Sequence, residues 1–245
     1  MFENIGEIAL LFWRTLLALP QVWRQRQKVF DQFFEIGNAS LLMVCVLSFF
    51  IGAVIALQTG PILVERSLAS AVGGVVGISI AKELAPVMMS ILIAGRIGSA
   101  MAAEIGSMRV YQEIDALRTM NINPIHYLVL PRLVAIAVAL PLLVTFSILI
   151  GWFGGAVVAD VNSHITIPFQ AFFYDLRSIV LTKDVANGVF KSFCFALVIG
   201  VVSCHQGLTT IGGPRGIGRS VTKAVVNSIV LIVIFDYVLT RFLLQ

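Results

Sequence analysis

Two adjacent charged residues, Lys82 and Glu83, interrupt the otherwise apolar segment at residues 68–95. A charge inside the hydrocarbon core costs roughly 2.5–3.5 kcal/mol on insertion scales, so such side chains face a bundle interior or a wet cavity. Fourteen uncharged residues precede the pair and twelve follow it, which predicts a position near the middle of a membrane span. Neighbouring residues on a helix point about 100° apart, so at least one of the two needs a partner on another helix or in a ligand. The pair is either a polar point in a transport cavity or a structural ion pair, and the sequence leaves both open.

The other reactive side chains form no recognisable catalytic or metal-binding set in the sequence. His126, His164 and His205 are scattered without the spacing of metal ligands. The cysteines lie inside apolar runs, where small hydrophobic residues of helices are expected; they are Cys45, Cys194 and Cys204. Asp236 lies inside the last apolar segment, and its partner is expected to be Lys82 or nearby hydroxyl groups.

Residues 212–218, GGPRGIG, have the glycine content of a phosphate-binding loop but not its chemistry. The segment lacks the Lys-Ser/Thr of a P-loop and follows an apolar span, not a strand, so we interpret it as a flexible cytoplasmic turn. No nucleotide-hydrolysing motif and no nucleophile–base pair of an intramembrane enzyme can be recognised in the chain. We therefore expect no enzymatic activity and no cofactor, with any ATP used by a partner subunit.

The composition predicts that these residues are positioned by membrane-spanning helices. The chain of 245 residues is 58% hydrophobic and 12% charged, with a mean hydropathy of +0.96, whereas soluble domains are about 25% charged. A span needs about 20 apolar residues, and five segments satisfy this at residues 36–64, 68–95, 133–159, 192–208 and 224–244. The net charge of +4 suits anionic headgroups, and the absence of basic runs interleaved with aromatics argues against nucleic acid.

The N-terminal region predicts amphipathic helices at the membrane surface. Segments 3–19 and 21–36 each place charged residues on one helical face and apolar residues on another, and neither is apolar enough to span. Both fit helices in the headgroup plane, with an amphipathic helix packed on protein as the alternative. Glu3 and Glu7 stand where a signal peptide would have a basic region, so a cleaved signal is not expected.

A charged excursion at residues 96–132 separates the second and third predicted spans. Its seven charged residues predict a docking surface for a soluble partner; they are Arg96, Glu104, Arg109, Glu113, Asp115, Arg118 and Arg132. Within it, Ile114, Leu117 and Met120 recur at helical spacing before the stop signal Asn123-Pro124. This short helix with an apolar stripe suits a groove on a soluble protein, and the alternative is a helix lying on the headgroups.

The distribution of Lys and Arg predicts the orientation. Five spans place the termini on opposite sides, with eleven of the 17 Lys and Arg residues on the N-terminal side and five on the other. The positive-inside rule therefore places the N-terminus and residues 96–132 in the cytoplasm and the C-terminus outside. Small-residue pairs, Gly73-x-x-x-Gly77 and Gly151-x-x-x-Gly155, predict close helix packing and are compatible with self-association.

Three stretches of the sequence closely resemble the MlaE/YrbE permease family, the membrane subunits of MCE-type phospholipid ABC transporters. They are KELAPVMMSILIAGRIGSAMAAEIGSMRVYQEIDALRTMNINPIHYLVLPR at 82–132, IGAVIALQ at 51–58, and the run ending in FDYVLTRFLL at 235–244. The resemblance covers nearly the whole chain. It implies a single permease domain over residues 1–245: an all-α integral membrane protein with N-terminal interfacial amphipathic helices in 1–37 and a five-span bundle in 38–245. It also implies a cytoplasmic coupling helix between spans two and three.

The resemblance also implies partners and a location. Two copies of the permease would form the centre of a complex with an ABC ATPase subunit (MlaF-like), an MCE-domain hexamer (MlaD-like) and a STAS-domain protein (MlaB-like). The complex would lie in the bacterial inner membrane, with its C-terminus periplasmic, and would move phospholipids between inner and outer membranes. A permease for sterols or other hydrophobic molecules, and a channel or intramembrane enzyme without an ATPase, are the alternatives.

By matching positions, the resemblance implies two sets of site residues. The lipid-binding set is Ile55, Ile62, Leu63, Arg66, Lys82 and Glu83. The set that couples to the ATPase is Glu104, Arg109, Glu113, Asp115, Leu117 and Arg118. Arg66 replaces an aromatic residue of the family pattern and Lys82 replaces an arginine, so the charge at 82 is kept without the bidentate geometry of a guanidinium.

Overall fold

The computed structural model describes residues 2–162 and 165–243, which are almost entirely helical and contain no strand. His164 lies outside the described residues. The eight helices are α1 (Phe2–Leu17), α2 (Arg26–Glu65), α3 (Ala69–Val110), α4 (Glu113–Thr119), α5 (Ile125–Val161), α6 (Phe169–Ile179), α7 (Thr182–Leu208) and α8 (Gly213–Leu243). Among them, α2, α3, α5, α7 and α8 are long and apolar enough to cross a membrane. The predicted all-α membrane fold with five spans is confirmed.

The second predicted N-terminal helix does not exist as a separate element. Pro20 lies in a 3₁₀ segment, Leu19–Gln25, and from Arg26 the chain continues as one 40-residue helix, α2. No proline interrupts residues 26–36, so once the helix is nucleated it propagates into the span. Residues 26–36 are thus the first turns of the first span, and only α1 remains as a separate amphipathic helix.

The charged excursion is much shorter than the sequence predicts. Helix α3 continues past Arg96 to Val110, and α5 already begins at Ile125, so only residues 111–124 connect the two spans. Charge does not end a helix when the intervening residues are good helix formers such as Ala and Met. The connection holds the predicted short helix, α4, which ends in a Schellman-type turn: Asn121 has φ 60°, and the Ile122 amide donates to the Leu117 carbonyl at 2.9 Å.

Two other predicted loops are also partly helical. The mixed polarity of residues 161–191 predicts an external loop with one short interfacial helix. The structure has this short helix, α6, but α7 already begins at Thr182. The Asp184 carboxylate accepts from the Leu181 amide at 3.1 Å and so caps this start. In the GGPRGIG segment only Gly212 and Gly213 adopt positive φ, 98° and 65°, and α8 begins at once. The flexible-turn interpretation is therefore wrong beyond these two residues.

The residues cluster into two compact units, each described by itself. Unit 1 comprises residues 1–38, 90–140 and 193–245, and unit 2 comprises residues 39–89 and 141–192. Helices α2, α3, α5 and α7 each contribute one segment to each unit. The single permease domain stays a prediction.

Unit 2 is held together by close backbone approach and short polar contacts. The hydroxyl of Ser48 donates to that of Ser147 at 2.7 Å, and the indole nitrogen of Trp152 donates to the Gly77 carbonyl at 3.1 Å. The predicted glycine pairs do lie at packed surfaces: a Cβ at Gly73 would overlap the Phe172 carbonyl, and one at Gly155 would lie 3.2 Å from Val76. Small residues therefore allow the helices to pack closely. Such packing matters in a membrane, because an apolar side chain is equally well solvated by lipid and by protein.

Two glycines of α2, one at a packed surface and one not, allow a comparison of protein stability; the packed contact between Gly52 and Gly151 is called the glycine seam. A methyl group at Gly52 would overlap the Gly151 carbonyl, whereas one at Gly37 would meet nothing within 4 Å. We expect Gly52→Ala to destabilise the protein by about 1–3 kcal/mol through overpacking, and Gly37→Ala to stabilise it by roughly 0.5–1 kcal/mol through helix propensity. Thermal unfolding midpoints in one detergent measure both, and equal midpoints for the two variants would refute the seam.

Candidate functional site

The Lys82–Glu83 pair is part of a four-charge cluster in unit 2. The Lys82 ammonium lies 2.9 Å from Asp184 Oδ1, and the Lys191 ammonium lies 2.8 Å from Glu83 Oε2. Lys191 also donates to the backbone carbonyl of Lys82 at 3.2 Å. Both charges of α3 thus have partners on α7. For Lys82, the alternative partner Asp236 is replaced by Asp184.

Local backbone geometry explains how two adjacent residues both reach α7. Residues Ile80–Leu84 form a π-helical turn within α3, whose extra residue re-aims the side chains around it. On α7, Asp184, Gly188 and Lys191 are spaced four and three residues apart, so they share one face. A Cβ at Gly188 would overlap the Ala81 carbonyl, so the glycine lets the two backbones approach. The flanking Asp184 and Lys191 are thereby brought onto Lys82 and Glu83.

The four charged side chains differ in exposure in a systematic way. Lys191 and Asp184 are buried, at 3% and 10% relative exposure, whereas Lys82 and Glu83 keep 31% and 42%. Burying an ion pair is offset by Coulomb attraction only with good geometry and further hydrogen bonds, as Lys191 and Asp184 have here. The α7 charges act as an inner support, and the α3 charges present an ammonium and a carboxylate side by side at a reachable surface.

The cluster lies off the centre of its helices. Helix α3 runs from Ala69 to Val110, so Lys82 is nearer its start than its end, and Asp184 lies in the first turn of α7. The prediction of a mid-span position assumed that the span ends at Arg96, but the helix continues beyond it. All four charges therefore lie in the N-terminal halves of their helices, but only Asp184 lies at a helix end.

The other predicted lipid-binding residues lie in the C-terminal part of α2 and in the turn that follows it, in the same unit. Ile55 and Leu63 are half-buried, Ile62 is 55% exposed, and Arg66 is exposed in the turn after the helix. That turn is a Schellman motif, with Ser67 at φ 60° and the Leu68 amide donating to the Leu63 carbonyl at 2.8 Å. Across the described side chains, no recorded hydrogen bond or ion pair joins these four residues to the charge cluster.

Helix α4 is anchored in the core of unit 1. Ile114 is fully buried in a cluster with residues of α1, α3, α5 and α7: Leu11, Ile105, Leu128, Val129, Leu133, Val201 and Cys204. Leu117 packs against the same cluster, and only Met120 of the predicted apolar stripe is exposed, at 69%. The predicted use of the whole stripe as a partner-binding ridge is therefore wrong for Ile114, which the protein's own core occupies, whereas Leu117 is only partly buried.

The charged side of α4 remains on the surface. Asp115 accepts from Arg109 at 2.8 Å and from Arg118 at 3.4 Å, and Arg132 bridges to Glu104 at 2.9 Å. Glu113 is exposed and makes no ion pair with any described residue. The arrangement is a rigidly anchored short helix that presents both signs of charge.

Sequence reasoning missed two members of the charge cluster. Their charges place Asp184 and Lys191 in the predicted external loop, outside the apolar segment that starts at residue 192, but both lie in α7. Their seven-residue spacing with Gly188 between them is a helical-face signal that could have revealed them. The sequence also gives no sign of the contact between His205 Nε2 and Glu7 Oε2 at 3.1 Å, because these residues are 198 positions apart.

The fold and the charge cluster define the class of protein. It is a multi-pass, all-α membrane protein that carries four ion-paired charges on two of its spans. The family model described as Permease MlaE matches residues 29–242, so the chain belongs to the MlaE permease family.

Curated relatives extend this similarity over almost the whole chain. A probable ABC transporter permease protein of Synechocystis is 34% identical over 244 residues, covering 100% of this chain and 92% of that protein. One of Rickettsia prowazekii is 38% identical over 245 residues, covering 98% and 92%. Protein TRIGALACTOSYLDIACYLGLYCEROL 1, chloroplastic, of Arabidopsis thaliana is 36% identical over 223 residues, covering 91% and 62%. The chain is a transporter permease subunit.

Proposed function

We propose that this permease is the membrane subunit of an ABC transporter that moves phospholipids between the inner and outer membranes of a bacterial envelope and so maintains outer-membrane lipid asymmetry. The observation that carries the proposal is the four-charge cluster, in which buried Asp184 and Lys191 hold the half-exposed Lys82 and Glu83. Ionisable groups inside spans are expensive and are retained where they line a substrate path.

The proposed site matches the two chemical halves of a phospholipid. The Lys82 ammonium suits a phosphate, and the Glu83 carboxylate suits an amine-bearing headgroup. The acyl chains would contact Ile55, Ile62 and Leu63, with Arg66 as a second cation beyond the end of α2. The alternative substrate, a sterol or another hydrophobic molecule, has no use for paired opposite charges, so the cluster favours phospholipid.

The energy would come from an ABC ATPase that docks on α4 and uses the ATP, so this chain needs no cofactor and has no catalytic activity of its own. The proposed coupling residues are Glu104, Arg109, Glu113, Asp115, Leu117 and Arg118. Force on α4 would pass through Ile114 into α1, α3, α5 and α7, because these helices supply its buried contacts. Helix α3 leads without a break from Lys82 to the connection that holds α4.

The proposed assembly contains two copies of this permease, an MCE-domain hexamer on the periplasmic side and a STAS-domain protein beside the ATPase. Its location would be the bacterial inner membrane. The excess of Lys and Arg on the N-terminal side supports a cytoplasmic N-terminus and a periplasmic C-terminus.

Reversing one exposed charge of α4 tests ATPase docking. Glu113→Lys leaves the buried Ile114 anchor untouched, so the fold is kept while one sign of charge on the docking face changes. We expect ATPase binding to weaken at least about tenfold, since like-charge contacts across an interface are strongly unfavourable. Quantitative pull-down of the ATPase subunit measures this, with Glu65→Lys, an exposed charge outside α4, as control. Equal ATPase binding by Glu113→Lys and wild type would contradict the docking surface.

The substrate class is tested by mass spectrometry of lipids and proteins that co-purify with the chain, followed by transfer assays in reconstituted complexes. We expect enriched phospholipid and ATP-dependent transfer of labelled phospholipid between vesicles. Enrichment of sterol without phospholipid would favour the alternative substrate. Absence of any co-purifying ATPase would favour a channel or intramembrane enzyme.

A further inference from the structure

Unit 1 contains a second candidate ligand site, separate from the charge cluster of unit 2. A cavity of about 850 Å³ is lined by α1, by the chain from Arg118 in α4 to the start of α5, and by the end of α7. The Glu7 carboxylate and the His205 ring, which are in contact, form part of its wall. The cavity therefore lies between α1 and the connection at residues 111–124, called the coupling segment below, which holds the proposed coupling helix α4.

One side of the cavity is bounded by an exposed apolar stripe of α1. Leu10 and Leu17 of α1 both line it, although they are 56% and 67% exposed, and Trp13 between them is 61% exposed. These three residues recur at spacings of three and four, so they form one apolar stripe on α1. An exposed stripe containing Trp on an amphipathic helix is typical of the membrane interface. In a helix at that interface, the cavity would open at the level of the lipid headgroups.

The uncommitted charges of the cavity are positive. Arg14 is exposed and makes no ion pair with any described residue. One guanidinium nitrogen of Arg118 lies 3.4 Å from Asp115 Oδ1, which Arg109 also contacts. Most of the five N–H donors of Arg118 therefore stay available. The acidic member, Glu7, already contacts His205 Nε2 at 3.1 Å, and His126 adds a second imidazole to the wall. An apolar wall beside two guanidinium groups matches an acyl chain attached to a phosphate.

We propose that this cavity binds the headgroup phosphate of an anionic phospholipid, which bridges Arg14 of α1 and Arg118 of α4. This lipid is a resident of the surrounding leaflet and not the transported substrate, because its site consists of unit 1 residues and does not include Lys82 or Glu83. Binding would fasten α1 to the coupling segment and make the permease sensitive to the anionic lipid content of the membrane. Arg14 lies before the family match at 29–242, so the site joins a family-wide segment to an N-terminal one.

The test uses the full-length chain in phosphatidylcholine nanodiscs that contain increasing fractions of phosphatidylglycerol with brominated acyl chains. Bromine quenches nearby tryptophan, and Trp13→Phe identifies the share of quenching due to Trp13. We expect saturable quenching of Trp13 whose apparent affinity falls about tenfold in Arg14→Gln/Arg118→Gln. Arg14→Lys keeps the charge and should retain most of the affinity. The matched control, Arg26→Gln/Arg241→Gln, removes two exposed arginines outside the cavity and should bind like wild type.

Three results would overturn the proposal. The first is equal affinity in the Arg14/Arg118 variant and wild type, or equal loss in the control, since either means general surface attraction. The second is equal quenching by brominated phosphatidylcholine, which removes the requirement for an anionic headgroup. The third is displacement of phosphatidylglycerol by inorganic phosphate at matched ionic strength, which would assign the cavity to a free anion.

Discussion

Glu83→Gln is expected to reduce ATP-dependent phospholipid transfer by about ten- to hundredfold in reconstituted complexes. The substitution keeps the shape of the side chain but removes the carboxylate 2.8 Å from the Lys191 ammonium. A charge-assisted hydrogen bond contributes about 1.5–3 kcal/mol, and each 1.4 kcal/mol corresponds to a factor of ten. Protein stability should fall less, by roughly 1–2 kcal/mol, because Glu83 is 42% exposed and water can compensate part of the loss.

A charge swap separates the two roles of this cluster. Glu83→Lys/Lys191→Glu restores an ion pair of reversed direction between α3 and α7. If the pair only holds the helices together, the swap restores both the thermal unfolding midpoint and lipid transfer. We expect it to restore the unfolding midpoint only in part, because a carboxylate at position 191 cannot donate to the Lys82 carbonyl as the Lys191 ammonium does. Transfer should stay impaired, since the half-exposed positive charge at position 83 would repel the amine of a headgroup.

The control for both experiments is Glu35→Gln, which alters an exposed carboxylate whose contact is a 3.2 Å hydrogen bond from Gln32. It should leave both unfolding and transfer unchanged. Normal transfer by Glu83→Gln, or full recovery of transfer by the swap, would reduce the cluster to a structural ion pair and withdraw Glu83 from the substrate path.

Ile114→Ala is expected to disconnect the coupling helix from the transport bundle while leaving its charged surface intact. Ile114 is fully buried against neighbouring side chains, with 0% relative exposure to solvent. Truncating a buried Ile to Ala costs about 2–5 kcal/mol. Helix α4 has seven residues, far too few to be stable without tertiary contacts, so this cost should be paid locally as detachment of α4.

Hydrogen–deuterium exchange at residues 113–119 measures the detachment directly. We expect faster exchange there in Ile114→Ala and, in the assembled complex, ATP hydrolysis that no longer drives lipid transfer. Met120→Ala is the matched control. It shortens a side chain that follows the same helix directly but is 69% exposed. Unaltered exchange in Ile114→Ala, or the same change in Met120→Ala, would show that Ile114 does not anchor the coupling segment.

The number of spans could be predicted from the sequence because length and apolarity alone decide what can cross a bilayer. Helix ends could not be predicted equally well. The charge of Arg96 predicts the end of the second span, but a charged residue among good helix formers destabilises a helix little, and α3 continues to Val110. In the same way, the charge of Lys191 predicts a loop, although this residue lies inside α7. Solubility in the membrane core and helix formation are separate properties, and charge reports only the first.

The candidate site shows the same division. The sequence by itself determined that Lys82 and Glu83 cannot both be satisfied by each other, because the geometry of one helix points them apart. Only the tertiary structure decided that their partners are Asp184 and Lys191, through a π-helical turn in α3 and a close approach at Gly188.

The coupling segment extends this contrast to an apolar residue. The sequence alone determined that α4 is a short amphipathic helix, since its apolar residues recur at helical spacing. Whether its apolar face meets a partner or the protein itself depends on which helices lie beside it, and local periodicity carries no information about neighbours distant in the chain. The tertiary structure buries Ile114 among residues between 9 and 103 positions away, such as Ile105 and Leu11. That burial leaves the charged side of α4 available to the proposed ATPase partner.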